Sequence, residues 1–67
     1  MTITQIIAAV KTGTLTRLHT ALTRGYVSRK SEGIAKPYAG RYGKGFAVYT
    51  PNRTSTGYCF VTYYVYQ

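Results

Sequence analysis

Arg17, Arg24, Arg29, Lys30, Lys36, Arg41 and Lys44 follow one another through the middle of the chain, and Tyr38 and Tyr42 stand among glycines between the last three. Guanidinium and ammonium groups neutralise phosphates, and tyrosine rings stack on unpaired bases or donate to phosphate oxygens. The chemistry offered is therefore the grip of a polyanion. Reaction chemistry is poorly provided for. Glu32 is the single carboxylate side chain, which rules out paired-acid hydrolysis and a serine–histidine–aspartate triad. A Cys59–His19 pair is conceivable, but Cys59 lies inside an apolar run, where a thiol is usually inert. One cysteine and one histidine make neither a disulfide nor a metal site. The sequence reads as a non-enzyme without cofactor or metal.

Charge supports the same reading. Nine Lys and Arg against one acid give 67 residues a net charge of +8. Such an imbalance sets up a field that attracts polyanions. With Lys11 and Arg53 included, the cations recur among apolar residues rather than forming a tail, as in a folded basic domain. Residues 1–67 are read as a single small basic nucleic-acid-binding domain. No signal peptide and no apolar run of membrane-spanning length is visible, so a soluble, cytoplasmic protein is expected.

Several elements must position these side chains. In "TITQIIAAVK", Thr2 and Gln5 have capping-box spacing, and Ile3, Ile6, Ile7 and Val10 form one apolar stripe, predicting a helix over about 3–11 that stops at Gly13. A second helix is predicted over 14–24, with Leu15, Leu18 and Leu22 inward and Thr16, Arg17, Thr20, Thr23 and Arg24 fanned across the outer side. That side is either a solvated face or one that bonds phosphates and base edges. Residues 26–30 and 46–50 read as short strands, 31–45 as a basic glycine loop and 51–57 as a turn. Residues 58–66 are the strongest strand, with Cys59, Val61, Tyr63 and Val65 on one face and Tyr58, Phe60, Thr62, Tyr64 and Tyr66 on the other. The fold expected is α+β, two N-terminal helices packed on a small three-stranded antiparallel sheet.

Residues 12–30, "TGTLTRLHTALTRGYVSRK", resemble the recognition helix and first wing strand of winged helix-turn-helix DNA-binding domains, with "RGYV" closing the helix. Gln5, Ala9 and Gly13 stand at the four-residue spacing of many helix-turn-helix motifs. Thr12, Thr14 and His19 depart from the pattern, the usual first helix is absent and the last strand is additional. The resemblance implies duplex-DNA binding by a regulator, of phage or mobile-element kind. Thr16, Arg17, Thr20, Thr23 and Arg24 would lie in the major groove, Lys36, Arg41 and Lys44 would reach phosphates or the minor groove, and Arg29 and Lys30 would add phosphate contacts. Tyr38 and Tyr42 either stack on unpaired bases or anchor the loop. Two other partners fit the same charge. One is an acidic protein surface, the other an RNA or single strand held by the aromatic sheet. Residues 58–66 form an apolar strand in a chain too small to cover both its faces, which invites a homodimer through that strand or its tyrosines.

Overall fold

The computed structural model describes residues 2–54 and 57–67, as one helix and four strands: α1 (Ile3–Lys11), β1 (Leu15–Arg24), β2 (Ile34–Gly40), β3 (Gly43–Pro51) and β4 (Tyr58–Tyr66). The strands form one antiparallel sheet in the order β1-β4-β3-β2.

The first helix starts as its residues dictate. The Gln5 amide donates to Thr2 Oγ1 at 3.2 Å and the Thr2 amide donates to Gln5 Oε1 at 2.8 Å, closing the capping box. At the other end the Thr12 amide donates to the Ala8 carbonyl, and Gly13 turns the chain at φ +84°. Ile6, on the inward stripe, packs with Leu15 and Val48, flanked by Ile3, Ala9, Val10, Ala35, Phe46 and Tyr64.

The second helix does not exist, and with it goes the two-helix, three-stranded, winged arrangement. Residues 15–24 are instead an edge strand paired with β4 from Leu15↔Tyr66 to Arg24↔Tyr58. Two causes acted against the helix. Thr16, Thr20 and Thr23 are β-branched and favour the extended chain. The ladder also bulges between Arg17 and Thr20, so that Leu18 and His19 together oppose Tyr63. The extra residue brings Leu15 and Leu22, seven apart, onto one face of the sheet. A regular strand would separate them, whereas two turns of helix would align them. The bulge thus gives a strand the leucine spacing of a helix.

Two other expectations also change. Residues 26–30 are not a strand: they run from the end of β1 into a turn where the Ser31 amide donates to the Ser28 carbonyl. Residues 31–45 are mostly not loop, because β2 and the start of β3 make a hairpin there, with Arg41 and Tyr42 as its turn and Gly40 opposite Gly43. The strand expected at 46–50 lies within β3, and the one at 58–66 is β4. Ser55 and Thr56, in the expected 51–57 turn, lie outside the described residues. β4 occupies the interior of the sheet, hydrogen-bonded to β1 and β3 on its two sides. Edge pairing of 58–66 with a second copy therefore has no free strand edge to use.

Residues directly opposite in an antiparallel ladder share a face. One face carries Leu15, Val48, Phe46 and Tyr64 beneath α1 and is called the helix face. The other, with Val61, Tyr63, Val65, Ala47 and Tyr38, has no helix over it and is called the open face. Gly45 on β3 sits where backbones crowd: a Cβ there would run into the Tyr64 carbonyl oxygen and come within 2.7 Å of Val65 Cα. Gly45→Ala should cost about 1–3 kcal/mol of stability by forcing β3 from β4. Urea unfolding measures it, and an unchanged midpoint would mean the two strands separate freely at this point.

Candidate nucleic-acid interface

The open face is built on small residues in its middle strands. Tyr38 on β2 pairs with Gly45, and Tyr63 on β4 pairs with Ala47. These tyrosines flank β3, yet their ring centroids stand 4.8 Å apart, tilted 47°. Neighbouring strands are ~4.8 Å apart, so rings two strands apart meet only by leaning inward. They can do so because β3 offers a glycine and a methyl group between them. Gly40 serves the same purpose at the end of β2, where a Cβ would strike the Tyr38 ring.

The chain of rings continues through the bulge. His19 lies 5.2 Å from Tyr63, centroid to centroid, and Tyr42, from the β2–β3 turn, meets His19 edge-on at 6.4 Å. Tyr38, Tyr63, His19 and Tyr42 thus form a chain of ring contacts that runs from β2 through β4 to β1 and returns to the β2–β3 turn. Tyr38 and Tyr63 are half-buried, His19 is exposed and Tyr42 is 59% exposed. Nearer the other end of the face, Lys36 Nζ sits 5.7 Å from the centre of the Tyr49 ring, within cation–π range. Exposed π-faces beside cations are what base stacking with phosphate neutralisation requires.

The residues expected to face DNA from one helix are dispersed. Thr16 and Thr23, opposite Val65 and Cys59, belong to the open face, while Arg17, Thr20 and Arg24, opposite Tyr64, Thr62 and Tyr58, belong to the helix face. Arg17 there donates from Nη2 to Thr20 Oγ1 at 3.1 Å, and Thr20 and Thr62 share a hydroxyl bond of 2.9 Å. Arg29 donates weakly, at 3.4 Å, to the Arg53 carbonyl near the loop end of the sheet, and Lys30 stands in the adjoining turn. Lys44 alternates with Gly45 and so lies towards the helix face. Of the predicted set, Lys36 and Tyr38 share the open face, and Tyr42 is linked to Tyr38 only through His19 and Tyr63, with Arg41 beside Tyr42 in the turn. Sequence reasoning missed His19, Tyr49 and the bridging role of Tyr63. The alternation in β4 already put Tyr63 beside Val61 and Val65, but placing His19 required the bulge.

All nine Lys and Arg are exposed. Cys59 is buried with a free thiol, and no group of three or more His, Cys, Asp or Glu side chains able to hold a metal occurs among the described residues. No helix among them is long and apolar enough to cross a membrane. The chain matches no family model, no curated protein and no solved structure.

Direct ring contact between Tyr38 and Tyr63 should register as an energetic coupling. A double-mutant cycle with Tyr38→Leu and Tyr63→Leu, read by urea unfolding, should return about 0.5–1.5 kcal/mol. Strictly additive losses would show that the rings stand over β3 without interacting.

Proposed function

We propose that this protein is a non-enzymatic nucleic-acid-binding domain that holds a single strand, RNA or DNA, against the open face of its sheet. The observation that carries this reading is the chain of rings Tyr38, Tyr63, His19 and Tyr42 on a face with no helix over it. Bases stack on Tyr42, His19 and the exposed parts of Tyr38 and Tyr63, each stack contributing ~1–3 kcal/mol. Lys36 and Arg41, at either end of that chain, neutralise phosphates.

Geometry disfavours a duplex. The strand that replaces the recognition helix divides its polar residues between two faces, and α1 carries one cation, Lys11. Four strands span roughly 14 Å between the outer backbones, before side chains are added, and the major groove is about 12 Å wide. The face is too broad to enter. A single strand has no groove to fit and can lie across it.

A second reading, docking on an acidic protein, draws support from the helix face. Leu22 is 55% and Phe60 38% exposed there, with Arg17 and Arg24 on the same face.

Fluorescence anisotropy with labelled single-stranded DNA, RNA and duplex over a salt series tests the proposal. Single strands should bind more tightly than duplex, and Tyr42→Ala should weaken them roughly fivefold or more without altering the fold. Lys36→Ala should flatten the slope of log K against log salt by about 0.7, the share of one phosphate on a single strand. Equal affinity for duplex would overturn the single-strand reading, and no affinity for any nucleic acid would favour the acidic partner.

A further inference from the structure

Beyond the rings, the open face ends in a cleft beside the residues that follow β1. Its lining includes Tyr26, Val27, Ile34, Lys36, Tyr49 and Cys59, with Arg24 and Gly25 at its margin. Val27 and Cys59 are buried and make an apolar floor. Tyr49 is half-buried, and Tyr26, 77% exposed, stands free at the lip. No carboxylate is among the lining residues, and two of them are cations. The volume is about 280 Å³, just under the roughly 300 Å³ at which small-molecule pockets begin. That is room for one small planar group and its substituent.

The cleft is continuous with the chain of rings. Ile34, Lys36 and Tyr38 alternate along β2 towards the same face. Lys36 is therefore one pleat, roughly 7 Å, beyond Tyr38.

We propose that this cleft is a nucleotide site: it takes one nucleotide of the bound strand, base against Tyr49 and the Val27–Cys59 floor, phosphate on Lys36. The site depends on the open face being the track of a single strand. Its chemistry selects that occupant. An apolar ligand would gain nothing from Lys36, and a free phosphate would leave the aromatic and aliphatic lining unused. A nucleotide uses both. The Lys36 ammonium now over the Tyr49 ring is the group a base would displace, and it would move only as far as the phosphate attached to that base. Tyr26, exposed and beside the cleft, can close over the outer side of the base. The strand would then have one base inserted at the loop end and its neighbours stacked on the rings.

The test is equilibrium binding of a labelled oligothymidylate of roughly six nucleotides, within the span one small fold covers, to the full chain and three variants. Tyr26→Ala removes the free ring from the lip, and Ile34→Glu places a carboxylate beside Lys36 on a partly exposed edge-strand position. His19→Ala alters the chain of rings alone. Circular dichroism and urea midpoints check that each variant is folded. Tyr26→Ala and Ile34→Glu should each weaken binding roughly tenfold, and in the unmodified protein the oligonucleotide should shift the NMR amide signals of Val27 and Cys59. If both cleft variants bind as the unmodified protein does while His19→Ala binds more weakly, the strand lies on the rings and the cleft is not its site. If the unmodified protein binds no oligonucleotide at low salt, the single-strand reading fails and the cleft assignment with it.

Discussion

The ladder between β1 and β4 is the constraint on which the other features rest. Its Thr20–Thr62 hydroxyl bond joins residues 42 apart in sequence. It makes β4 an interior strand and brings Leu15 to the place where Ile6 of α1 can cover it. It also sets His19 beside Tyr63. Closing so long a loop costs chain entropy before any contact repays it. The return is a cross-strand row in which threonines and aliphatics of β1 meet aromatic and β-branched partners on β4. A helix over the same residues would have used local bonds alone, leaving one edge of β4 unpaired.

What could be read from the sequence was local. The capping box of α1 and the alternation of β4 are each specified within a few residues, and both elements stand where those signals put them. β1 was illegible because its bulge is a property of the pairing. Nothing within residues 15–24 announces that two of them will face one partner. The hairpin was hidden by Pro37 and the glycines, which in isolation suggest a loop. Pro37 is tolerated because β2 is an edge strand, and Gly40 and Gly45 leave room for a ring and a neighbouring backbone. For the candidate site, the cations were legible as a group, and their division between faces was not. Lys36, Tyr38 and Tyr42 are close in sequence, but each meets a different ring, Tyr49, Tyr63 and His19. Their partners come from strands remote in sequence, so the chain of rings emerges only in three dimensions.

Charge and architecture reinforce each other. A four-stranded sheet with one short helix leaves two edges uncovered, an arrangement that invites aggregation. Here the edges are marked by Arg17 and Arg24 on β1 and by Lys36 and Pro37 on β2. At a net charge of +8, two copies repel each other. That repulsion opposes association through the sheet edges.

The bulge opposite Tyr63 has a further consequence, for how the chain tolerates changes of length. Removing Leu18 or His19 alone would leave a regular ladder in which every other residue of β1 keeps its β4 partner. Leu15 and Leu22 would then stand six apart, and Thr20, Leu22 and Arg24 would stay on the helix face. Removing both residues would put Thr20 next to Arg17 and turn Thr20, Leu22 and Arg24 to the opposite face. The single deletion keeps the faces and the double deletion reverses them. Among descendants of this sequence, a gap of one residue should therefore be tolerated at the bulge, and gaps elsewhere in β1 should not.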